Sequence, residues 1–348
     1  MPHISVTIPV FNRAHLIGFT IESVLRQSFT DWDLVIVDDA STDETVSVIQ
    51  RFANEDSRIK CYVNEHNLGL TRNWNRCLDL STGPLIQILL SDDLVDSGYL
   101  EAVSSVFEKY PSVGIVAANC RYIDVSGKLL DDGNTEDSKM YRAGDEAVSI
   151  FLKRYPHVSS IVFRKNCVDK LGKYDERIWH GPDVEYDTRI ARHYDYFHFG
   201  QVYTSFRRHG RNMGALEYLR NDFLEVDNLK FRLSWGCLSD EALRLRGIDD
   251  LDRYVASYTA RSALTGVIIS IAYGCSRLGF HYLRQAVRYD QNIIGTFRFW
   301  KSLAMLVSIP VSRFLLIRRM KLSNEDQAAA RLVLDRLNSL KKNVGSGI

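Results

Sequence analysis

The chain has 348 residues, of which 45% are hydrophobic and 25% are charged, and its formal net charge is +1. This length and composition are typical of a soluble globular protein with one large or two modest domains, and the near-neutral charge excludes a general nucleic-acid-binding surface. The six cysteines form no CxxC pair and no zinc-ligand spacing, so they indicate buried thiols in a reducing compartment.

The chain opens directly on a strand pattern, without the apolar segment of a signal peptide. Its longest charge-free stretches, such as residues 262–276 and 302–312, are shorter than the roughly 18 to 20 residues that cross a bilayer. We therefore expect a cytosolic protein, or one that rests on a membrane without crossing it.

Strand and helix patterns alternate in the first third of the chain. Strands are predicted at Ile4–Pro9, Trp32–Val37, Ile59–Val63 and Pro84–Leu90, and helices at Leu16–Gln27, after Ser41, and up to Leu80. The run before Ser91, Pro84–Leu90, is apolar apart from Gln87 and does not alternate, which is typical of a strand buried on both faces. The alternation predicts an α/β fold with a mostly parallel central sheet between helices.

Later segments continue this domain and then change character. A strand pair is expected within Val113–Asp124, with further strands at Val158–Phe163 and Tyr196–Val202, while the polar, turn-rich segment Gly127–Gly144 fits either a mobile loop or a small hairpin. After about Asn221 helical patterns dominate, for example at Leu251–Ser270 and Asp326–Leu340. We predict two domains, residues 1–220 and a helical C-terminal region at 221–348.

Two adjacent carboxylates, Asp92 and Asp93, close the apolar run that ends at Leu90. Open α/β sheets hold their ligands at the carboxyl ends of strands, and hard oxygen donors there suit Mg²⁺ or Mn²⁺ with substrate phosphates. The alternative is a loop that caps the next helix, since Asp favours helix starts.

Four further segments fall at predicted strand ends or at a helix start. They are Pro9-Val10-Phe11-Asn12-Arg13, Asp38-Asp39-Ala40-Ser41, Asn67-Leu68-Gly69-Leu70-Thr71-Arg72-Asn73, and Asp183-Val184-Glu185-Tyr186-Asp187-Thr188-Arg189. In this order, and together with Ser91-Asp92-Asp93, they resemble the family 2 glycosyltransferases of the GT-A fold over about residues 3–215. The resemblance implies an inverting enzyme that uses a nucleotide sugar, with a GT-A-type nucleotide-sugar-binding domain.

The resemblance also assigns roles on the donor side. Asp39 is expected to accept the imide N–H of a uracil, with Arg72 nearby, while Asp38 orders the loop. Asp92 is expected on the ribose side and Asp93 as the metal ligand. The nucleoside is expected to contact Pro9, Val10, Phe11, Asn12, Asn67 and Gly69. Local alternatives remain open: helix capping by the Asp pair, a surface ion pair for Arg72, and turn formation by Asn67 and Gly69.

On the acceptor side, Asp183 is the expected general base, with Glu185 and Asp187 as nearby rivals. Further along, Phe206-Arg207-Arg208-His209 resembles a basic family motif, so Arg207 or His209 is expected at the diphosphate or the metal; a solvated basic turn is the alternative. Two positions depart from the family pattern, since Leu90 and Pro182 stand where many relatives carry Asp and Glu.

Competing classes lack their signatures. The first strand is followed by Pro9-Val10-Phe11-Asn12, not by the Gly-x-Gly-x-x-Gly of a Rossmann oxidoreductase or the glycine-rich basic loop of a sugar nucleotidyltransferase. We therefore expect a metal-dependent transferase that moves a sugar from a UDP-sugar to a saccharide or polyprenyl-linked acceptor during surface polysaccharide biosynthesis at the cell envelope. A sugar nucleotidyltransferase and a non-catalytic nucleotide-sugar-binding protein are the alternatives.

The segment 291–324 holds six basic residues and no acidic one, interleaved with aromatic and aliphatic residues. This composition fits an interfacial helix on an anionic membrane, and equally a helical subdomain whose apolar residues form a core. With a polyprenyl-linked acceptor, the first alternative would place the protein peripherally on the inner face of the cytoplasmic membrane.

Overall fold

The computed structural model describes residues 4–208, 220, 222–272 and 275–307. The strands are β1 (Ile4–Val10), β2 (Trp32–Asp38), β3 (Ile59–Val63), β4 (Leu85–Ile88), β5 (Leu94–Val95), β6 (Val113–Ile123), β7 (Leu129–Asp131), β8 (Lys139–Tyr141), β9 (Val162–Arg164) and β10 (Asp195–Arg207). The helices are α1 (Ile17–Leu25), α2 (Thr45–Glu55), α3 (Leu70–Leu80), α4 (Tyr99–Lys109), α5 (Asp145–Lys153), α6 (Lys165–Leu171), α7 (Pro182–His193), α8 (Phe223–Trp235), α9 (Asp240–Arg244), α10 (Leu251–Ala272), α11 (Ser276–Tyr289) and α12 (Phe297–Val307).

The ten strands form one mixed sheet in the order β3-β2-β1-β4-β9-β6-β10-β5, with β7 added to β6 and β8 to β10. The long ladders, β1 with β2, β2 with β3, β1 with β4, and β6 with β10, are parallel. The antiparallel pairings are short, such as β4 with β9 and β10 with β5. The predicted α/β class with a mostly parallel central sheet is confirmed.

The central strands of the sheet are buried along their whole length. Every residue of β1 and β2 is buried, and the core of the sheet continues into α1 and α4 through residues such as Ile21 and Val103. Apolar residues predominate in these strands, and buried polar ones are hydrogen-bonded inside the sheet, since Ser5 Oγ donates to Asp33 Oδ1 at 2.6 Å and Thr7 Oγ1 donates to the Gln87 carbonyl at 2.9 Å. The first four predicted strands are found within two residues of their expected ends.

The middle of the chain differs from the expectation in three places. Residues 113–123 form one long strand, β6, instead of a strand pair. Val158–Ser160 is a 3₁₀ turn, and only Val162–Arg164 is a strand. The segment Gly127–Gly144 contains two short strands that pair with β6 and β10, not with each other, so it is neither of the two alternatives. The length of β6 matches its pairing with β10, a strand more than seventy residues further along that local periodicity does not record.

The topology brings the chemistry-bearing loops to one edge. In the parallel registers Val10 lies beside Asp38 and Thr7 beside Ile88, so β1, β2 and β4 end together. The end of β10 reaches the same place, because the backbone N–H of Arg207 donates to the Asp93 side chain over 3.0 Å. Four loops that are far apart in sequence thus meet at the carboxyl edge of the sheet.

Two compact units are distinguished by their internal contacts. One consists of residues 1–208 and 233–247, and the other of the described residues among 209–232 and 248–307. The boundary expected near residue 220 stays a prediction. Of the described helices, α10 is long and apolar enough to cross a membrane, but 67% of its most apolar window is buried, as in a core helix. The helix predicted at 326–340 lies outside the described residues.

Candidate active site

Asp93 is a fully buried carboxylate at the edge of the sheet. Its side chain is 0% exposed; Oδ2 accepts a hydrogen bond from Ser159 Oγ at 2.5 Å, and Oδ1 accepts from the Arg207 backbone at 3.0 Å. Burial, and then the charge of neighbouring Asp92, raise the pKa of Asp93 well above its usual range. A cation at this carboxylate would relieve both effects.

Asp92 lies on the more open side of the pair, with its side chain 10% exposed and its Oδ2 3.5 Å from Arg13 Nε. Arg207 is buried and braces the pair through its Nε, which donates to the Asp92 carbonyl at 2.9 Å. Its Nη1 donates to the carbonyls of Asp124 and Val125. The structure therefore gives Arg207 a bracing role, while its predicted diphosphate contact stays a prediction. His209, the other expected basic residue, lies outside the described residues.

The sequence analysis missed two residues that touch Asp93. Ser159 is the hydroxyl donor described above, and His157 Nδ1 lies 3.5 Å from Asp93 Oδ2. Burial lowers the pKa of His157 to about 4, so its ring is neutral at pH 7 and this approach is not an ion pair. Nδ1 instead accepts the Ser159 backbone N–H at 3.4 Å. No sequence signal marked these residues, because they lie more than sixty positions away from Asp93.

Asp39 organises the loop between β3 and α3. Its Oδ1 accepts from Asn64 Nδ2 and from the Leu68 backbone, both at 2.8 Å, and its Oδ2 accepts from the Gly69 backbone at 2.9 Å. Asp38 Oδ1 accepts from the Ser41 backbone at 2.8 Å, whereas Asp38 Oδ2 is buried with no hydrogen-bond partner among the described residues. Loop ordering, expected of Asp38, is thus shared by both carboxylates. The uracil contact expected of Asp39 stays a prediction.

Asp39→Asn is expected to lower the free energy of unfolding by about 2 kcal/mol, because its amide nitrogen would face at least one buried N–H donor. Chemical denaturation followed by circular dichroism measures this change. Asp79→Asn is the matched control, since Asp79 forms an exposed ion pair with Lys173 and should change stability by less than about 1 kcal/mol. Equal effects of the two substitutions would contradict the loop-ordering role.

The first loop of the expected nucleoside pocket is tied to the second. Pro9 and Val10 end β1 and are buried, whereas Phe11 is 39% exposed. Asn12 has a left-handed backbone with φ of 51°; its N–H donates to Ser41 Oγ and its Oδ1 accepts from the Thr42 backbone, both at 2.8 Å. These bonds hold the loops after β1 and β2 together.

The third loop enters α3 through glycine. Gly69 precedes the helix with φ of 85°, a conformation that L side chains adopt at a cost, and Asn67 Nδ2 donates to the Asp39 carbonyl at 3.0 Å. Both residues therefore build the turn, which was the local alternative. Arg72 is exposed, and its Nε pairs with Glu176 at 2.9 Å, so the surface ion pair expected as an alternative exists. Donor contacts of these three residues stay predictions.

Three carboxylates stand at the start of α7, and the structure separates them. Glu185 is buried in a two-pronged ion pair with Arg189, at 2.8 and 2.9 Å. Asp187 is buried, and its Oδ2 accepts from Tyr155 Oη at 2.5 Å. Burial, and then the charge of Asp183, raise the pKa of Asp187 well above its usual range. Asp183 itself is half-buried in the first turn, where the helix dipole favours an ionised carboxylate.

One short segment connects the two groups of carboxylates. Tyr155 bonds to Asp187, while His157 and Ser159, two and four residues further on, contact Asp93. A second link starts at α3, where Thr71 Oγ1 donates to the Ile178 carbonyl at 2.6 Å, shortly before α7. Within the first unit, contacts of this segment therefore join Asp93 of the expected donor side to Asp187, which lies one helical turn after Asp183.

The pair of Asp92 and Asp93 is the place where a divalent cation fits best. The described residues contain no cluster of three or more His, Cys, Asp or Glu side chains that could hold a metal by themselves. Mg²⁺ commonly binds through one or two carboxylates plus substrate phosphates, so these two carboxylates would suit such an ion, and the metal stays a prediction.

Comparison with known proteins is consistent with this site. A family model described as glycosyl transferase family 2 matches residues 5–172. A GalNAc(5)-diNAcBac-PP-undecaprenol beta-1,3-glucosyltransferase of Campylobacter jejuni is 26% identical over 272 residues, covering 76% of this chain and 82% of that protein. An uncharacterized glycosyltransferase of Haemophilus influenzae is 34% identical over 170 residues, covering 45% of this chain and 68% of that protein. Two further relatives are matched over only 36% and 15% of their own length.

Among solved structures, Staphylococcus aureus TarS (residues 1–349), crystallised with UDP-GlcNAc, superposes with a TM-score of 0.59. The identity is 15%, and the match covers 91% of this chain and 90% of that chain. At this identity the likeness concerns the fold. It agrees with the GT-A-type architecture expected from the sequence motifs.

Proposed function

The chain belongs to glycosyl transferase family 2 and is a glycosyltransferase, and we propose that it moves a sugar from a UDP-sugar to a polyprenyl-diphosphate-linked saccharide with inversion. The name of the Campylobacter relative specifies an undecaprenol-linked acceptor, and TarS, which shares the fold, was crystallised with UDP-GlcNAc. The TarS complex supports a UDP-sugar donor, and the undecaprenol-linked acceptor of the relative supports the proposed role in surface polysaccharide assembly. A lipid-linked acceptor would place the enzyme peripherally on the inner face of the cytoplasmic membrane.

The observation that carries this proposal is that the carboxylates at the carboxyl edge of the sheet and at the start of α7 differ in burial. Asp38, Asp39 and Asp93 are buried at the ends of β2 and β4, where they can organise a nucleoside diphosphate. Across the 155–159 segment, Glu185 and Asp187 are engaged with Arg189 and Tyr155. Asp183 is half-buried in the first turn of this helix, where the helix dipole favours an ionised carboxylate, and we propose it as the general base.

The proposed reaction is a single displacement. The acceptor hydroxyl oxygen attacks the anomeric carbon, its proton passes to the Asp183 carboxylate, and the bond from the anomeric carbon to the diphosphate oxygen breaks on the opposite side. Attack and departure on opposite sides invert the anomeric centre. General base catalysis of this kind typically contributes about 10²–10⁴ in rate.

We propose Mg²⁺ or Mn²⁺ as the cofactor, with Asp93 as its ligand and Asp92 beside it on the ribose side. When bound, such an ion offsets the negative charge of the departing diphosphate. The protein prepares this position by burying Asp93 beside Asp92 and by bracing the backbone of the pair with Arg207. The role of His209 as a second ligand stays part of the proposal.

Screening UDP-, GDP-, ADP- and dTDP-sugars by thermal stabilisation, with Mg²⁺ or with EDTA, tests the donor class. We expect a UDP-sugar at 100 times its Kd to stabilise the protein by about 2.7 kcal/mol, and the other nucleotides to have little effect. Release of UDP only when a polyprenyl-diphosphate saccharide is added would establish transfer. Nucleotide binding without turnover on any acceptor would favour the non-catalytic alternative, and formation of a UDP-sugar from UTP and a sugar phosphate would favour the nucleotidyltransferase.

A further inference from the structure

The segment from Cys275 to Val307 has an unusual charge distribution. It contains five basic residues and one acidic residue, Asp290, although the whole chain is nearly neutral. The basic residues are Arg277, Arg284, Arg288, Arg298 and Lys301, and all five are exposed. This part of the second unit therefore carries a local excess of positive charge.

The basic residues of α11 lie on one face of the helix. Arg277, Phe280, Arg284 and Arg288 are spaced by three, four and four residues, and all are exposed, with Phe280 at 41%. The opposite face packs on α10, where a Cβ added at Gly266 would lie 2.9 Å from the Tyr282 ring. The arginine face therefore points away from the core of this unit.

Helix α12 adds large exposed aromatic side chains. Phe297 is 83% exposed and Trp300 is 56% exposed, next to exposed Arg298 and Lys301. The other side of the helix is buried at Phe299, Ser302 and Leu306, and Leu306 approaches Gly279 of α11. Both helices also contact α10, so their outer faces look away from the same core helix.

This combination matches the chemistry of an anionic bilayer surface. Arginine and lysine are attracted to acidic headgroups, while Trp and Phe enter the boundary between headgroups and acyl chains. A nucleic acid would attract the basic residues, but it would leave an aromatic ring such as Phe297 without an apolar environment. A second copy of the chain would bury the aromatics but would oppose like charges across the interface.

We propose that the outer faces of α11 and α12 form a docking surface for a bilayer containing anionic lipids. The proposal rests on the proposed function for its purpose, because a polyprenyl-linked acceptor resides in such a bilayer. The sequence analysis expected an interfacial segment at 291–324. Of that segment the proposed surface includes only α12, and it adds α11. Residues 308–324 lie outside the described part of the chain.

Sedimentation of the full chain with vesicles tests the surface without donor or acceptor. We expect binding to vesicles of phosphatidylcholine and phosphatidylglycerol at 50 mM salt, little binding to phosphatidylcholine alone, and weaker binding at 500 mM salt. The triple variant Arg277→Gln/Arg284→Gln/Arg288→Gln should bind on the order of 100-fold more weakly, since each basic residue near such a surface contributes about fivefold. The double variant Phe297→Ser/Trp300→Ser should also bind more weakly, and the binding that remains should still weaken with added salt.

A charge-matched control is Arg51→Gln/Lys60→Gln/Lys128→Gln, which removes three exposed basic residues of the first unit and should bind like the wild type. Equal losses in both triple variants, or no binding by the wild type at low salt, would overturn the proposal. So would a wild-type dimer in sedimentation equilibrium that the aromatic variant abolishes, in the absence of vesicle binding. Because no turnover is measured, failure here leaves the proposed reaction intact, and loss of transfer with normal vesicle binding would refute only the reaction.

Discussion

Asp183→Asn is expected to lower kcat by about 10²–10⁴ while leaving the Kd of the donor nearly unchanged. The amide keeps the size of the side chain at the start of α7 but cannot take the proton of the acceptor hydroxyl. Steady-state transfer measures kcat, and calorimetric titration with a UDP-sugar measures donor binding. The split between the two quantities is what distinguishes a general base from a residue of the donor site.

The neighbouring carboxylates provide the controls for this prediction. Glu185→Gln would break the ion pair with Arg189, and Asp187→Asn would alter the bond to Tyr155, so both act first on stability. We expect each to retain more activity than Asp183→Asn once the folded fraction is taken into account. Near-normal kcat in Asp183→Asn would transfer the role to one of these two residues. Lost donor binding would instead make Asp183 part of the donor site.

Asp93→Asn is expected to abolish the metal dependence of UDP binding and to reduce transfer to background. Loss of an outer-shell partner alone typically costs about 10–100-fold in metal affinity, so loss of a proposed ligand should cost at least as much. Titration of UDP in Mg²⁺ and in EDTA measures the difference. Metal-dependent turnover at the wild-type level in this variant would refute the assignment of Asp93.

Asp93→Asn is expected to impair UDP binding and transfer, but without metal it should increase the stability of the fold relative to the wild type as the pH rises. The pKa of Asp93 is raised by burial and by Asp92, so the folded protein holds the proton more tightly than the unfolded chain does. The stabilising contribution is therefore complete below the unfolded pKa of about 4 and is lost as the pH rises through the higher folded pKa. Asp93→Asn carries no such charge, so in EDTA its stability relative to the wild type should increase from pH 4 towards pH 8. A difference independent of pH would contradict the raised pKa.

Local sequence patterns were sufficient for the first four strands of the sheet and for its α/β class. The largely apolar runs of β1, β2 and β4 are typical of strands buried on both faces, and they end where polar motifs begin. Because parallel strands align their carboxyl ends, these motifs could be assigned to one edge before any contact was known. The family followed from the same ordered motifs.

Sequence patterns were insufficient for the roles of individual side chains. Asp38 and Asp39 look equivalent in the sequence, but Asp39 accepts three bonds from the 64–69 loop, whereas one oxygen of Asp38 is buried without a hydrogen-bond partner among the described residues. Arg72 and Arg207 both look like donor-site cations, yet one pairs with Glu176 and the other braces three backbone carbonyls. Such choices depend on which atoms of other segments arrive at the same place.

The sequence by itself therefore determined the α/β class, the family and the edge of the sheet that carries the carboxylates. Only the tertiary structure decided that Asp93 is fully buried against Ser159 and Arg207, which lie 66 and 114 residues further along the chain. It also decided that a single segment links Asp93 to Asp187 through His157 and Tyr155. Periodicity reflects the environment of neighbouring residues, whereas hydrogen bonds across such separations arise only when the packed chain brings distant donors and acceptors together.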